Sequence, residues 1–172
     1  MKRRKLETLL LTLESTPSLL ARAAVSLTRE EVRWKPQDGG FSLLENVWHL
    51  ADLEREAFGV RIRRILSEEE PTLSNFDGER IARERVYNER DLAEGLVSFA
   101  QSRAHNIEIL RGLSRSDWKR LATQESVGRI TLDDIPRLMA EHDISHTTEI
   151  RNLLAHLKDG LPLEKSPASA VA

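Results

Sequence analysis

The sequence predicts an all-α protein built as a four-helix bundle, on three observations: four long segments place apolar residues at three- and four-residue intervals, no run alternates convincingly as a strand, and there is no internal repeat. Composition agrees. Of 172 residues, 40% are hydrophobic and 31% charged, while aromatics make up only 5% and Gly and Pro are few, the balance of a largely helical chain. The length fits one ordinary domain, expected over residues 1–160, with 161–172 as a mobile tail.

Helix one is expected from about Arg4 to Ser26, where Leu6, Leu9, Leu10, Leu13, Leu20, Ala24 and Leu27 keep helical spacing and Pro17 offers a kink or break. Thr28 followed by Glu31 has the spacing of a capping box and predicts a short helical turn ended by Lys35-Pro36. After the Asp38-Gly39-Gly40 loop, Ser42 and Glu45 form a second capping box, opening helix two from Leu43 to about Leu66. Ser67 to Pro71 stops it, and Asp77-Gly78 turns the chain.

Asn88, with Asp91 at the third helical position, predicts the start of helix three, which runs from Glu89 to about Leu113 and buries Leu92, Leu96, Phe99, Ala100, Ile107, Leu110 and the stem of Arg103. Ser114–Gly128 reads as a linker holding Trp118. Thr131 caps the last helix, with Asp133 and Asp134 at its positive end, and Lys158, Gly160 and Pro162 end it.

Charge and composition narrow the function. A formal charge of −2 gives no general attraction to nucleic acid, and Lys2-Arg-Arg-Lys5 reads as a solvated basic end. Glu7 and Glu14 interrupt the apolar stretch near the N-terminus, so it does not read as a signal peptide, and no run is long and apolar enough for a membrane span; a cytoplasmic protein is expected. There are no cysteines, which leaves histidine and carboxylate as the protein ligands available to a transition metal.

His142 and His146 stand four apart in the last helix, and Ile135, Met139, His142, His146, Glu149 and Leu153 fall in one stripe, so both imidazoles occupy core-facing positions. Polar side chains there need partners, from a metal or from the bundle. A metal held for chemistry takes about three protein ligands and keeps positions open. The third comes from His49, His105, His156, Glu149, Asp143, Asp52 or Glu45. His49 lies at the edge of helix two's apolar arc, where periodicity places it ambiguously between a ligand and a half-solvated boundary residue.

Pro36, Gly39-Gly40-Phe41-Ser42, Glu45-Asn46-Val47-Trp48-His49-Leu50-Ala51-Asp52 and Glu54, followed by Ile130-Thr131-Leu132 and His142-Asp143-x-x-His146, resemble the DinB/YfiT-like superfamily over nearly the whole chain. The resemblance implies a four-helix bundle, commonly a homodimer, with a divalent metal held by His49, His142 and His146. On reaction it is broad: metal-dependent hydrolases, a glutathione-dependent isomerase, S-transferases using small bacterial thiols, and DNA-damage-inducible proteins of unknown activity. The expectation is a metal-dependent enzyme acting on a small molecule, with nickel or zinc and a low-molecular-weight thiol as candidate cofactors, performing S-transfer or hydrolysis. The rivals are a non-enzymatic metal-binding or stress-response bundle, and a bundle whose histidines merely bond one another and carboxylates.

Glu149 could accept a proton from bound water or orient a ligand imidazole, or could pair with an arginine of a neighbouring helix; Asp52, one turn beyond His49, has the same two readings. Asp143 lies off the stripe and reads as a surface charge. His156, fourteen residues from His142 and so roughly 20 Å along the helix, is too far to share its ion, and it and His105 read as structural or exposed. Trp34, Trp48 and Trp118 read as packing residues, Trp48 alternatively as a dimer contact or pocket wall. Arg55, Arg61, Arg63 and Arg64 could grip an anionic thiol but read as a solvated face.

Overall fold

The structure, a computed structural model, describes residues 3–158; Lys2, Gly160, Pro162 and the expected tail lie outside the described residues. Four long helices form the expected bundle: α1 (Arg3–Ala24), α3 (43–67), α5 (Leu92–Arg111) and α6 (Ile135–Lys158), with α2 (Arg29–Arg33) and α4 (Gly78–Glu84) as short helices between them.

Both predicted capping boxes form. Thr28 and Glu31 open α2, and the Ser42 hydroxyl accepts from the Glu45 amide at 3.0 Å while the Glu45 carboxylate takes the Ser42 N–H at 2.9 Å. Pro17 does not break α1, which runs through it. A proline strips the carbonyl four residues back of its donor. That carbonyl, of Leu13, accepts instead from Arg103 Nη1 at 2.9 Å.

α3 is not one regular helix. It widens into a π-helical turn over Leu53–Phe58, where the Gly59 amide reaches back five residues to the Glu54 carbonyl. The Asn106 side-chain amide donates to the same carbonyl at 3.0 Å, so the widened turn is pinned from α5.

Three expectations are corrected. Helix three starts later: Asp91, not Asn88, caps α5, accepting from the Glu94 amide at 2.9 Å. Val86, at φ 49°, turns the chain just before it, and Asn88 instead joins Ser42 to the Arg33 carbonyl. The stretch after the Asp77-Gly78 turn, from Glu79 to Tyr87, is expected as a polar segment without a helix; Gly78–Glu84 is helical because Asp77 caps it, accepting from the Arg80 amide at 3.1 Å.

The supposed linker folds into strands as well. β1 (Thr72–Leu73) pairs in parallel with β2 (Leu121–Gln124), which pairs antiparallel with β3 (Gly128–Thr131). Gly128 at φ 88° closes the hairpin, and Ala122, Gln124 and Ile130 face the interior. Thr131 then caps a single turn, Leu132–Asp134, that leads into α6.

Apolar residues gather in two clusters. One holds Leu10, Leu13, Ile62, Ile107 and Met139; the other Leu20, Leu44, Leu50, Phe99 and Ile150. Between them along the helices fall buried polar residues: Thr16, His49, Glu54, Arg103, Asn106, Asp143 and His146. Trp48 is buried against Gly95 and donates Nε1–H to the Asp91 carbonyl at 2.9 Å. No helix among the described residues is long and apolar enough to cross a membrane.

Candidate metal centre

His49 projects from the second turn of α3, and His142 and His146 from successive turns of α6. Ring centroids lie 4.6 Å apart for His49 and His146, 4.5 Å for His142 and His146, and 5.2 Å for His49 and His142. One ring nitrogen from each falls within 4.8 Å of the others, and Nε2 of His49 is 3.4 Å from Nε2 of His142. His49 is buried, so it is not a half-solvated boundary residue.

Asn46 orients the group. Its Oδ1 accepts from His146 Nδ1 at 2.7 Å, which ties the Nδ1 proton to Asn46 and leaves Nε2 as the ring nitrogen available to a metal. The Asn46 amide nitrogen donates to the Ser42 carbonyl at 3.0 Å, so the side chain cannot flip without losing both bonds. Sequence reasoning passed over Asn46; its signal was an asparagine inside a helix, three residues before a histidine, on a face that needed partners. Glu149 Oε2 lies 3.3 Å from the same His146 nitrogen, and the pull of that imidazole, opposed by partial burial, holds its carboxyl below the usual carboxylate range.

Around His49 the packing is close. Phe41 and Phe76 flank it at 5.5 and 5.8 Å between centroids, and Gly78 lies so near that a Cβ there would sit 2.2 Å from His49 Cε1. Phe58 presents its ring to His142 at 6.2 Å and 79°. Burial, reinforced by the neighbouring imidazoles, lowers His49 to about 3; burial and then His146 lower His142 to about 4. Both rings are therefore neutral near pH 7.

Neutral rings bring lone pairs. His49 and His142 can share at most one proton across their Nε2 contact, so two nitrogen lone pairs compete for one proton at a point that the His146 ring also reaches. A cation relieves this. Two nitrogens bound at about 2.0–2.1 Å to one tetrahedral ion stand about 3.3–3.4 Å apart, and the 3.4 Å observed between His49 and His142 fits. The residues present therefore suit a divalent transition metal.

Beside the rings a cavity of about 510 Å³ opens, lined by His49, His146, Lys35, Glu45, Arg83 and Glu149. Lys35 Nζ pairs with Glu45 at 2.8 Å. Asp52 belongs to a separate network, engaged by Arg55 at 2.6 Å, the Tyr87 hydroxyl at 2.6 Å and Arg85. Three of the four helix-two arginines serve structure: Arg55 pairs with Asp52, Arg61 donates to the Ser74 carbonyl and Arg64 pairs with Glu68. His105 is exposed, and His156 stacks on Trp34.

Asp143, expected at the surface, is only 5% exposed. α6 packs on α1 as well as α3, so a residue off the metal-facing stripe is still covered. Arg103, expected to bury only its stem, is buried to the guanidinium and grips both Asp143 oxygens, at 2.7 and 2.8 Å. Ala100, by contrast, is exposed.

Comparison with known proteins gives three findings. The sequence profile of the DinB superfamily matches residues 12–150. The chain is 25% identical over 142 residues to “Putative metal-dependent hydrolase OB0782” of Oceanobacillus iheyensis, covering 82% of this chain and 81% of the relative; to “Putative metal-dependent hydrolase YfiT” of Bacillus subtilis it is also 25% identical over 142 residues, covering 80% and 79%. The solved structure of Bacillus subtilis YfiT, described as “a probable metal-dependent hydrolase with an unusual four-helix bundle topology”, superposes with a TM-score of 0.83 at 22% identity, covering 94% of this chain and 91% of that one, a likeness of fold.

Proposed function

The chain belongs to the DinB superfamily, and from that premise we propose that it is a metal-dependent hydrolase of a small molecule, with His49, His142 and His146 holding one divalent ion, nickel or zinc. The observation that carries the reading is the convergence of three imidazole nitrogens within 4.8 Å. A divalent ion held there supplies Lewis acidity, polarising an acyl or phosphoryl oxygen and acidifying a water or thiol that it binds.

The chain's own residues do the rest. Asn46 keeps the His146 ring turned so that Nε2 faces the centre. Glu149, ionised and on the cavity wall, is the proton acceptor for the attacking group. Phe41, Phe58 and Phe76 keep water from the flanks of the rings. The names of the relatives support hydrolysis over other chemistries.

The second reading is S-transfer from a low-molecular-weight thiol, whose acidic groups Lys35 and Arg83 on the cavity wall would meet on exchanging their partners Glu45 and Glu79. The test is elemental analysis of the untagged protein beside His146→Ala, followed by turnover of esters, amides and phosphoesters with and without added thiol. About one equivalent of nickel or zinc per chain, lost in the variant, with thiol-independent turnover, is expected. Turnover of electrophiles only with thiol moves the reading to S-transfer; metal without turnover across both panels leaves a metal-binding bundle. No metal, and no stabilisation on adding nickel or zinc, overturns the proposal. The mass of the same sample in solution tests the homodimer that the resemblance implies.

A further inference from the structure

A second cavity, of about 260 Å³, lies against the one that opens on His49 and His146, and the two share Gly40, Phe41 and Glu149 as walls. Its remaining lining is the apolar Trp34, Pro36 and Leu153 with the polar Asp38, Asn152 and His156. The Trp34 indole is braced by the His156 ring, stacked at 5.6 Å and 28°. A cavity of about 150 Å³ with apolar walls accommodates a benzene ring, so this one has room for an aromatic group with a short substituent.

The two chambers differ in their cations. The chamber at the histidines mixes Lys35 and Arg83 with Glu45, Glu79 and Glu149; the second carries the carboxylates Asp38 and Glu149 and neither lysine nor arginine. An aromatic face attracts cations, and nearby carboxylates add to that attraction while repelling anions.

Resting on the hydrolase reading above, we propose that the second chamber is the subsite for a planar apolar arm of the substrate, neutral or bearing an ammonium group, laid on Trp34 while the reacting bond lies at the three histidines. The histidines do not choose among acyl compounds; the Trp34 chamber does. Anionic arms are turned away by Asp38 and Glu149, and arms without a ring leave the indole uncovered.

The test is binding of benzylamine, benzyl alcohol and benzoate to the full chain, by tryptophan fluorescence and ligand-observed NMR, with zinc loaded and again after chelation. The expected order in the chelated protein is benzylamine, then benzyl alcohol, then benzoate. Trp34→Ala weakens benzylamine binding about tenfold or more; Asn152→Trp, at an exposed position on the chamber wall, fills the space and does the same. Equal binding of the three probes, tighter benzoate, or binding indifferent to both variants, with helical circular dichroism unchanged, overturns the subsite. Because the chelated arm needs no metal, failure of the metal reading and failure of the subsite register separately.

Discussion

The guanidinium of Arg103 takes the hydrogen-bonding place that Pro17 leaves open. Its Nη1 reaches the unpaired Leu13 carbonyl at 2.9 Å, both its terminal nitrogens reach Asp143, and its Nε lies 2.9 Å from Glu54, an ion-pair contact rather than an aligned hydrogen bond. One cation thereby joins α1, α3 and α6 from its seat on α5. Burial pushes Glu54 up and the Arg103 charge opposes it.

Removing that cation leaves two buried carboxylates, Glu54 and Asp143, with the neutral donors Asn106 and Thr16 but no compensating charge. Arg103→Met is expected to lower unfolding free energy by about 3–5 kcal/mol, read as a fall in the urea midpoint. A loss within the scatter of surface substitutions would mean the network contributes little.

Asn46→Leu keeps the volume of the side chain and removes the acceptor for His146 Nδ1. Partners of this kind are worth about 10–100-fold in metal affinity, so zinc competition against a chromophoric chelator should show a loss in that range while the helical signal holds. Unchanged affinity would show that packing alone aims the ring.

Gly78→Ala sets local propensity against tertiary fit. At the head of α4 an alanine is the better helix former, but its Cβ would stand 2.2 Å from His49 Cε1 and 2.5 Å from Nδ1. The ring must move, and metal affinity is expected to fall about tenfold or more, measured by the same competition. An unaltered affinity would mean α4 shifts aside freely.

Acid should destabilise the metal-free protein through His49 and His142. Their folded values, about 3 and about 4, lie below the ordinary 6.5, so between these limits the unfolded chain binds protons that the folded chain refuses. Stability is then full above pH 6.5 and falls as pH drops toward 4, by up to about 1.4 kcal/mol per pH unit for each histidine. Denaturation of His49→Gln beside the parent chain from pH 7 to 4.5 checks this; parallel curves would refute it.

Periodicity and capping chemistry made the bundle legible because they are local: Thr28 with Glu31, Ser42 with Glu45 and the spacing of His142 and His146 each act within one turn of helix. Partners distant in the chain were not. Nothing near Asp143 announces Arg103, forty residues away, so an off-stripe aspartate read as solvated. β2 and β3 are four residues each, too short to show alternation, and are held by pairing with one another and with β1. Asn88 and Asp91 both carry capping chemistry, so the sequence places the start of helix three early; contacts distant in the chain tie Asn88 to Ser42 and the Arg33 carbonyl and leave the cap to Asp91. His49 needed the resemblance, since the face α4 covers is invisible to a wheel drawn for α3 alone.

The widened turn at Leu53–Phe58 makes α3 two helices in register though one in chain. The half that carries His49 and Asp52 keeps the phase set by the Ser42 cap, while the half that carries Ile62 and Ile65 takes its phase from Asn106 and the small sheet. Deleting a single residue within the turn would rotate one half against the other by about 100° and leave every hydrogen bond of the Ser42 cap intact. The turn thus works as a vernier, letting the histidine face and the sheet-covering face be adjusted separately along a single unbroken rod.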